Sequence, residues 1–210
     1  MLKEAVPALD VVLIEADICG AGASGRNGGC ALSWSAKYFT LERLFGAAEA
    51  VRLVRESERS IADIGVFCAA NGIDCDYRLD GTLYTATNAA QVGATDAVIA
   101  ALEHKGINSF RRLPLEQVQR LAGSGRHLEG WFSPAAATVQ PGKLVRGLRR
   151  VALQRGVRLY EGTAMTGLEH GAPVQVRTAH GTLRADRVVL GLNAWICLLY
   201  TSPSPRDRQK

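Results

Sequence analysis

The sequence predicts an α/β fold with an insertion. Three observations carry this. Residues 10–15, DVVLIE, form a continuous apolar run ending in an acid, the pattern of a buried parallel strand. Residues 141–155 place Leu144, Val145, Leu148, Val151 and Ala152 on one helical face, and a strand-like run over 157–162 follows after Gly156. Residues 187–192, RVVLGL, repeat the buried-strand pattern. The order is strand, helices, an inserted unit, helix, strand, hairpin, strand, which is the alternation expected of helices packed on a mostly parallel sheet.

Each element has its own signal. Residues 2–6 read as the end of a helix, with Pro7 just past it. From 41 to 70, apolar residues recur at Leu44, Ala48, Val51, Val54, Ile61, Ile64 and Cys68, and Asn71-Gly72 closes the helix. Gly46 is the place where it can split. Residues 76–87, DYRLDGTLYTAT, alternate around Asp80-Gly81 and predict a hairpin or strand. Residues 90–105 predict a helix with Val98, Ile99 and Leu102 inward and Gly106 as its stop, and 114–122 a short helix begun by a proline. Residues 128–140 predict strand and turn. Residues 174–178 and 182–185 predict a hairpin across Ala179-His180-Gly181.

The composition, 47% hydrophobic and 21% charged over 210 residues, is that of an ordinary globular chain. Five cysteines, at 19, 30, 68, 75 and 197, are an odd number without a C-x-x-C pair. That argues against a disulfide framework or a zinc site and fits a reducing cytosol, so a cytoplasmic protein is expected. No secretory leader pattern opens the chain, and no apolar run reaches the ~20 residues of a membrane span. The formal charge of +5 is spread among interleaved acids and bases, so no nucleic-acid surface is expected. The stretch CLLYTSPSPRDRQK, residues 197–210, changes character abruptly. It reads like the translation of a common transposon-type sequencing adapter. The expectation is a native frame ending near Ile196, followed by an artefactual, disordered tail.

Gly20-Ala-Gly22-Ala-Ser-Gly25 spells G-x-G-x-x-G. A working dinucleotide fingerprint follows its strand at once and opens a helix, whose N-terminus receives the pyrophosphate. Here four residues separate Glu15 from Gly20, and Arg26-Asn27-Gly28-Gly29 follows instead of a helical period. An NAD(P) site on Gly20, Gly22 and Gly25 is therefore the weaker reading. The stronger one starts at Glu15. In dinucleotide units an acid ends the second strand about 20 residues after the fingerprint and accepts hydrogen bonds from ribose hydroxyls. Counting back from Glu15 lands before Met1, so this reading puts the first strand and its fingerprint outside the chain. GAGASGRNGG then becomes a second cofactor loop: glycines admit close backbone approach, Ser24 and Asn27 add neutral donors, and Arg26 can fork onto a phosphate.

With VVLIEAD followed by GASGRNGG, and with VQPGKLVRGLRRVALQRGVRLYEGTAMTGLE followed by VRTAHGTLRADRVVLGLNAW, the chain resembles the FAD-dependent oxidoreductases of the D-amino-acid oxidase superfamily. The resemblance covers nearly all of residues 1–196. It implies a partial FAD-binding Rossmann-like domain, lacking the first strand and GxGxxG, with an inserted α+β segment of the substrate domain. The implied division is 1–75 and 139–196 for the FAD-binding domain, 76–138 for the substrate-domain segment, and 197–210 for the tail. By position, Glu15 would hold the ribose; Ser24, Arg26, Asn27, Gly28 and Gly29 would line the pyrophosphate and flavin side; Met165 would offer backbone to the adenine; Asn193, Ala194 and Trp195 would close the cofactor site. Asn193 stands where many members carry glycine.

The implied reaction is oxidation of the C–N bond of a small amine or amino acid to an imine, with electrons passing through FAD to oxygen or another acceptor. The resemblance also implies a fragment: the active enzyme would be the full-length parent, and this chain alone would bind FAD poorly and be inactive. No catalytic acid or base is assigned. His104, His127, His170 and His180 are expected at the surface, and Tyr84 and Trp131, in the inserted unit, are expected in core packing. No Ser/His/Asp order, Walker loop or metal-ligand spacing is present.

Overall fold

A computed structural model describes residues 2–193. In chain order the elements are α1 (Leu2–Ala5), β1 (Val12–Ile14), β2 (Cys30–Leu32), α2 (Tyr38–Phe45), α3 (Ala47–Ala70), β3 (Thr82–Ala86), α4 (Asp96–His104), β4 (Arg111–Arg112), α5 (Leu115–Ala122), β5 (Glu129–Ser133), β6 (Ala136–Thr138), α6 (Pro141–Gln154), β7 (Arg158–Tyr160), β8 (Met165–Glu169), β9 (Val174–Thr178) and β10 (Gly181–Ala185). The fold is mixed α/β, as expected. The described residues form two compact units: one from residues 2–21 with 149–193, the other from Gly22–Leu148. No described helix is long and apolar enough to cross a membrane.

In the first unit β1 and β7 pair in parallel, with Val12 opposite Arg158 and Ile14 opposite Tyr160. Two further bonds lengthen the ladder: Arg158 N–H to the Val11 carbonyl and Glu15 N–H to the Tyr160 carbonyl, both 2.9 Å. The expected burial is only half met, since Leu13 is 42% exposed. Among the described residues β1 has one neighbouring strand, and its side chains alternate between a covered and an open face. The predicted hairpin is present: Thr178 pairs with Gly181 and Val174 with Ala185. It is joined by β8, which the sequence reading missed because Gly167 and a register shift at Met165/Gly167 break its alternation. Residues 187–192 are not a strand, and Val189 is 88% exposed. An apolar run becomes a buried strand only by finding a partner, and none pairs with it among the described residues.

The second unit is organised around helices. Tyr38 and Leu41 of α2, Ala50 and Val54 of α3, and Val98, Ile99 and Leu102 of α4 bury together with Ile107 and Phe110. Gly46 does split the long helix: its φ of 81° ends α2 and begins α3. The break resets the helical phase, so Leu44 turns outward and is 61% exposed.

Of the hairpin or strand expected over residues 76–87, a strand forms, β3, and it does not fold back on residues 76–80. β3 pairs with β5, from Thr82–Ser133 to Ala86–Glu129, and β4 takes the other edge of β5. Gly81, at φ 78°, gives its N–H to the Ala136 carbonyl, and Arg78 bridges Thr138. A side chain at Gly81 would lie 2.3 Å from the Phe132 ring, so the close crossing there requires glycine. The local alternation was real, but its partner lies far along the chain. β2 pairs antiparallel with β6, Cys30 opposite Thr138, and carries the chain out of the Gly-rich loop.

Candidate functional site

In the first unit the candidate site lies at the carboxyl ends of β1 and β7, the edge at which ligands sit on parallel sheets. The segments leaving the two strands are laced together. Thr163 N–H donates to the Glu15 carbonyl and Gly162 N–H to the Asp17 carbonyl, both at 2.8 Å. Glu15 Oε1 accepts the N–H of Asp17 at 3.1 Å, and its other carboxylate oxygen has no partner among the described residues. A free, half-buried carboxylate oxygen at a parallel strand end suits a hydroxyl donor such as a ribose.

The second acid at this edge was missed from the sequence. Glu161 follows β7 as Glu15 follows β1. Its Oε1 accepts the Cys19 N–H at 2.8 Å, and Arg149 of α6 reaches both oxygens, Nε at 3.1 Å and Nη2 at 2.7 Å. Hydrogen bonding to Arg149, then to the Cys19 N–H, lowers the Glu161 carboxyl to about 2. The signal existed: VRLYEG repeats the strand-then-acid pattern of VVLIEA. In the same region burial, then the neighbouring Glu161 carboxylate, raises the Cys19 thiol.

Met165 begins β8 opposite Thr178, beside the register shift. Asn193 has φ 51°, a left-handed backbone that glycine adopts freely and asparagine tolerates better than most residues. Ala194 and Trp195 lie outside the described residues.

In the second unit residues 22–29 form a run of turns, closed by Gly25 N–H to the Gly22 carbonyl and Arg26 N–H to the Ala23 carbonyl. No helix opens at Gly25; the loop runs on to β2. The spelling Gly20–Gly25 therefore lacks the helix N-terminus on which a fingerprint operates. Asn27 is committed to the loop itself. Its amide group donates to the Ala23 and Ser24 carbonyls at 3.0 and 3.1 Å, and its oxygen accepts Gly29 N–H at 2.8 Å. Asn27 thus shapes the loop rather than offering a spare donor.

Gly29 is buried at φ 72°; a Cβ there would lie 2.0 Å from the Val139 carbonyl oxygen. Val139 N–H in turn donates to the Gly29 carbonyl at 2.9 Å. Gly22 and Gly28 face open space, with nothing within 4 Å of a built Cβ. Ser24 and Arg26 are exposed, and neither side chain has a partner among the described residues. A fixed loop with open glycines, a free hydroxyl and a free guanidinium has the donor chemistry of an anion site. The residues present fit a dinucleotide such as FAD.

Other polar groups play structural parts. His104, His170 and His180 are exposed; His127 is half-buried, its Nδ1 2.9 Å from Thr85 Oγ1. Tyr84 and Trp131 face each other across β3 and β5 and pack against the helical core, as expected.

The comparisons with known proteins give the class to which this mixed α/β chain, with its strand-end acids and glycine-rich loop, belongs. The chain belongs to the FAD dependent oxidoreductase (DAO) family, whose model matches residues 2–208. It is 31% identical over 188 residues to gamma-glutamylputrescine oxidoreductase of Escherichia coli (strain K12), covering 89% of this chain and 44% of that protein. It is also 31% identical over 193 residues to the probable oxidoreductase OrdL of Rhizobium meliloti (strain 1021), with the same two coverages, 89% and 44%. The chain thus spans less than half the length of these curated relatives. Among solved structures, glycine oxidase from Bacillus cereus ATCC 14579 superposes with a TM-score of 0.73 at 19% identity, over 93% of this chain and 52% of that one. An L-amino acid deaminase from Proteus vulgaris, lacking its specific insertion sequence, gives 0.72 at 22%, over 94% and 50%. These last two likenesses concern the fold.

Proposed function

We propose that this chain supplies part of the FAD site of an enzyme that oxidises the C–N bond of a small amine or amino acid to an imine. The observation that carries this reading is the free second oxygen of Glu15 at a parallel strand end, in a chain of an FAD-dependent family. Bound flavin supplies the redox chemistry, taking up the hydride equivalent from the carbon beside the nitrogen.

The chain's own residues bind and orient. Glu15 accepts from the ribose hydroxyls. Arg26 and Ser24 donate to the pyrophosphate, and open backbone at Gly22 and Gly28 lets that group approach. Asn27 and Gly29 hold the loop in shape. Met165 offers backbone to the adenine, and Asn193, with Ala194 and Trp195, closes the flavin side. Residues 1–75 and 139–196 are assigned to the cofactor domain and 76–138 to the substrate domain. The names of the relatives, which include an oxidoreductase of gamma-glutamylputrescine and a glycine oxidase, support an amine or amino-acid substrate.

The test is FAD titration of the protein at the length of its relatives, read by quenching of flavin fluorescence. The charge-assisted bond lost in Arg26→Ala, worth about 1.5–3 kcal/mol, should weaken binding roughly ten- to hundredfold. Glu15→Gln should weaken it in the same direction. Unchanged affinity in both variants would remove the assignment. Amine-dependent flavin reduction is then sought in the protein at the length of its relatives.

A further inference from the structure

Cys68 sits in the last turn of α3, and Cys75 follows after the turn at Asn71 and Gly72. Both are free thiols, 3% and 1% exposed, and their sulfurs are 3.6 Å apart. A disulfide needs about 2.05 Å between sulfurs. The remaining gap falls on a short segment that already turns at Gly72, where φ is 58°. From its other side Cys75 is held by the protein: its carbonyl accepts the Gln140 N–H at 2.7 Å, just before α6. The two other described cysteines differ. Cys19 is half-buried, Cys30 is exposed, and neither has a thiol neighbour among the described residues.

We propose that Cys68 and Cys75 are a reversible dithiol–disulfide site, oxidised by peroxide and reduced by small thiols. One thiol loses its proton and attacks a peroxide oxygen; the O–O bond breaks, leaving a sulfenic acid and one water. The second sulfur attacks the sulfenic sulfur, the S–O bond breaks, and a second water leaves. The two thiols give up two electrons and two protons, and the peroxide becomes two waters. The site does not depend on the flavin reading.

Burial also sets the rate. It raises the Cys68 thiol to about 11, so the reactive thiolate is scarce at neutral pH. Oxidation therefore waits for the end of α3 to open, and the pair reacts more slowly than exposed Cys30.

The test treats the reduced 210-residue chain with hydrogen peroxide and digests it without reductant. Mass mapping should find one dominant cross-linked peptide joining Cys68 to Cys75, two hydrogens lighter than the reduced pair. Dithiothreitol should abolish it, and Cys30→Ser should leave it in place. Cross-links distributed among the other cysteines would overturn the proposal. So would Cys68 and Cys75 remaining thiols, or ending as separate sulfinic acids. The unsubstituted chain alone decides between these outcomes, so no cysteine of the pair need be replaced.

Discussion

Arg149 grips Glu161 through both carboxylate oxygens, at 3.1 and 2.7 Å, while the same carboxylate takes the backbone N–H of Cys19. One side chain thereby joins α6, the end of β7 and the segment that leaves β1.

Acid should undo this junction. The carboxyl is lowered from 4.5 to about 2 in the folded protein. Between those values the unfolded chain binds the proton and the folded chain does not, so stability rises with pH across that window. The contribution is complete above the ordinary carboxylate value and is lost as pH falls toward 2. Glu161→Gln should flatten the dependence of the thermal midpoint on pH in that window. An unchanged slope would show that the pair does not couple to folding.

Gly29→Ala should be strongly destabilising. A Cβ would lie 2.0 Å from the Val139 carbonyl oxygen, on a backbone at φ 72°. The left-handed conformation alone costs an L residue about 1–2 kcal/mol, and the collision adds to it. Gly28→Ala, which meets nothing within 4 Å, should be tolerated. Urea midpoints of the two variants should therefore separate clearly.

Asn27 lends itself to a finer test. Asn27→Asp keeps the acceptor for Gly29 N–H but removes both donations, to Ala23 and Ser24. Asn27→Ala removes all three. At roughly 1 kcal/mol per bond, the alanine variant should loosen the loop more. Hydrogen exchange at the Gly29 amide reads this directly: it should accelerate in Asn27→Ala and change least in Asn27→Asp.

Glu58 binds two buried hydroxyls, those of Ser35 and Ser109. These serines are 0% and 4% exposed. Glu58→Ala strands the Ser109 hydroxyl, at about 1–3 kcal/mol, whereas Ser35 Oγ keeps Ser33 Oγ at 2.9 Å. Adding Ser109→Ala in the same chain should recover part of the loss, because the hydroxyl stranded by the loss of Glu58 is then gone. A double substitution as damaging as the sum of its parts would contradict this account.

Local signals proved dependable wherever one segment satisfies itself. The split at Gly46, the inward Val98, Ile99 and Leu102, and the hairpin at Thr178–Gly181 are all short-range, and each was visible in the sequence. The Gly-rich loop belongs with them, since the absence of a helical period after Gly25 matches the turns that follow it. Glu161 was overlooked although its strand-then-acid pattern was on view, because a carboxylate gains its role only when Arg149 and Cys19 are brought to it.

By itself, then, the sequence determined the helices, the parallel strand entering Glu15, the turn-rich character of the glycine-rich loop and the family resemblance. Tertiary structure alone decided which strands pair. It sent β3 to β5 rather than to residues 76–80, left 187–192 unpaired among the described residues, and spent the amide of Asn27 on its own loop. The physical reason is range. Helical phase and turn chemistry are settled within a few residues, whereas a strand edge or a carboxylate is completed by whichever distant group the fold delivers.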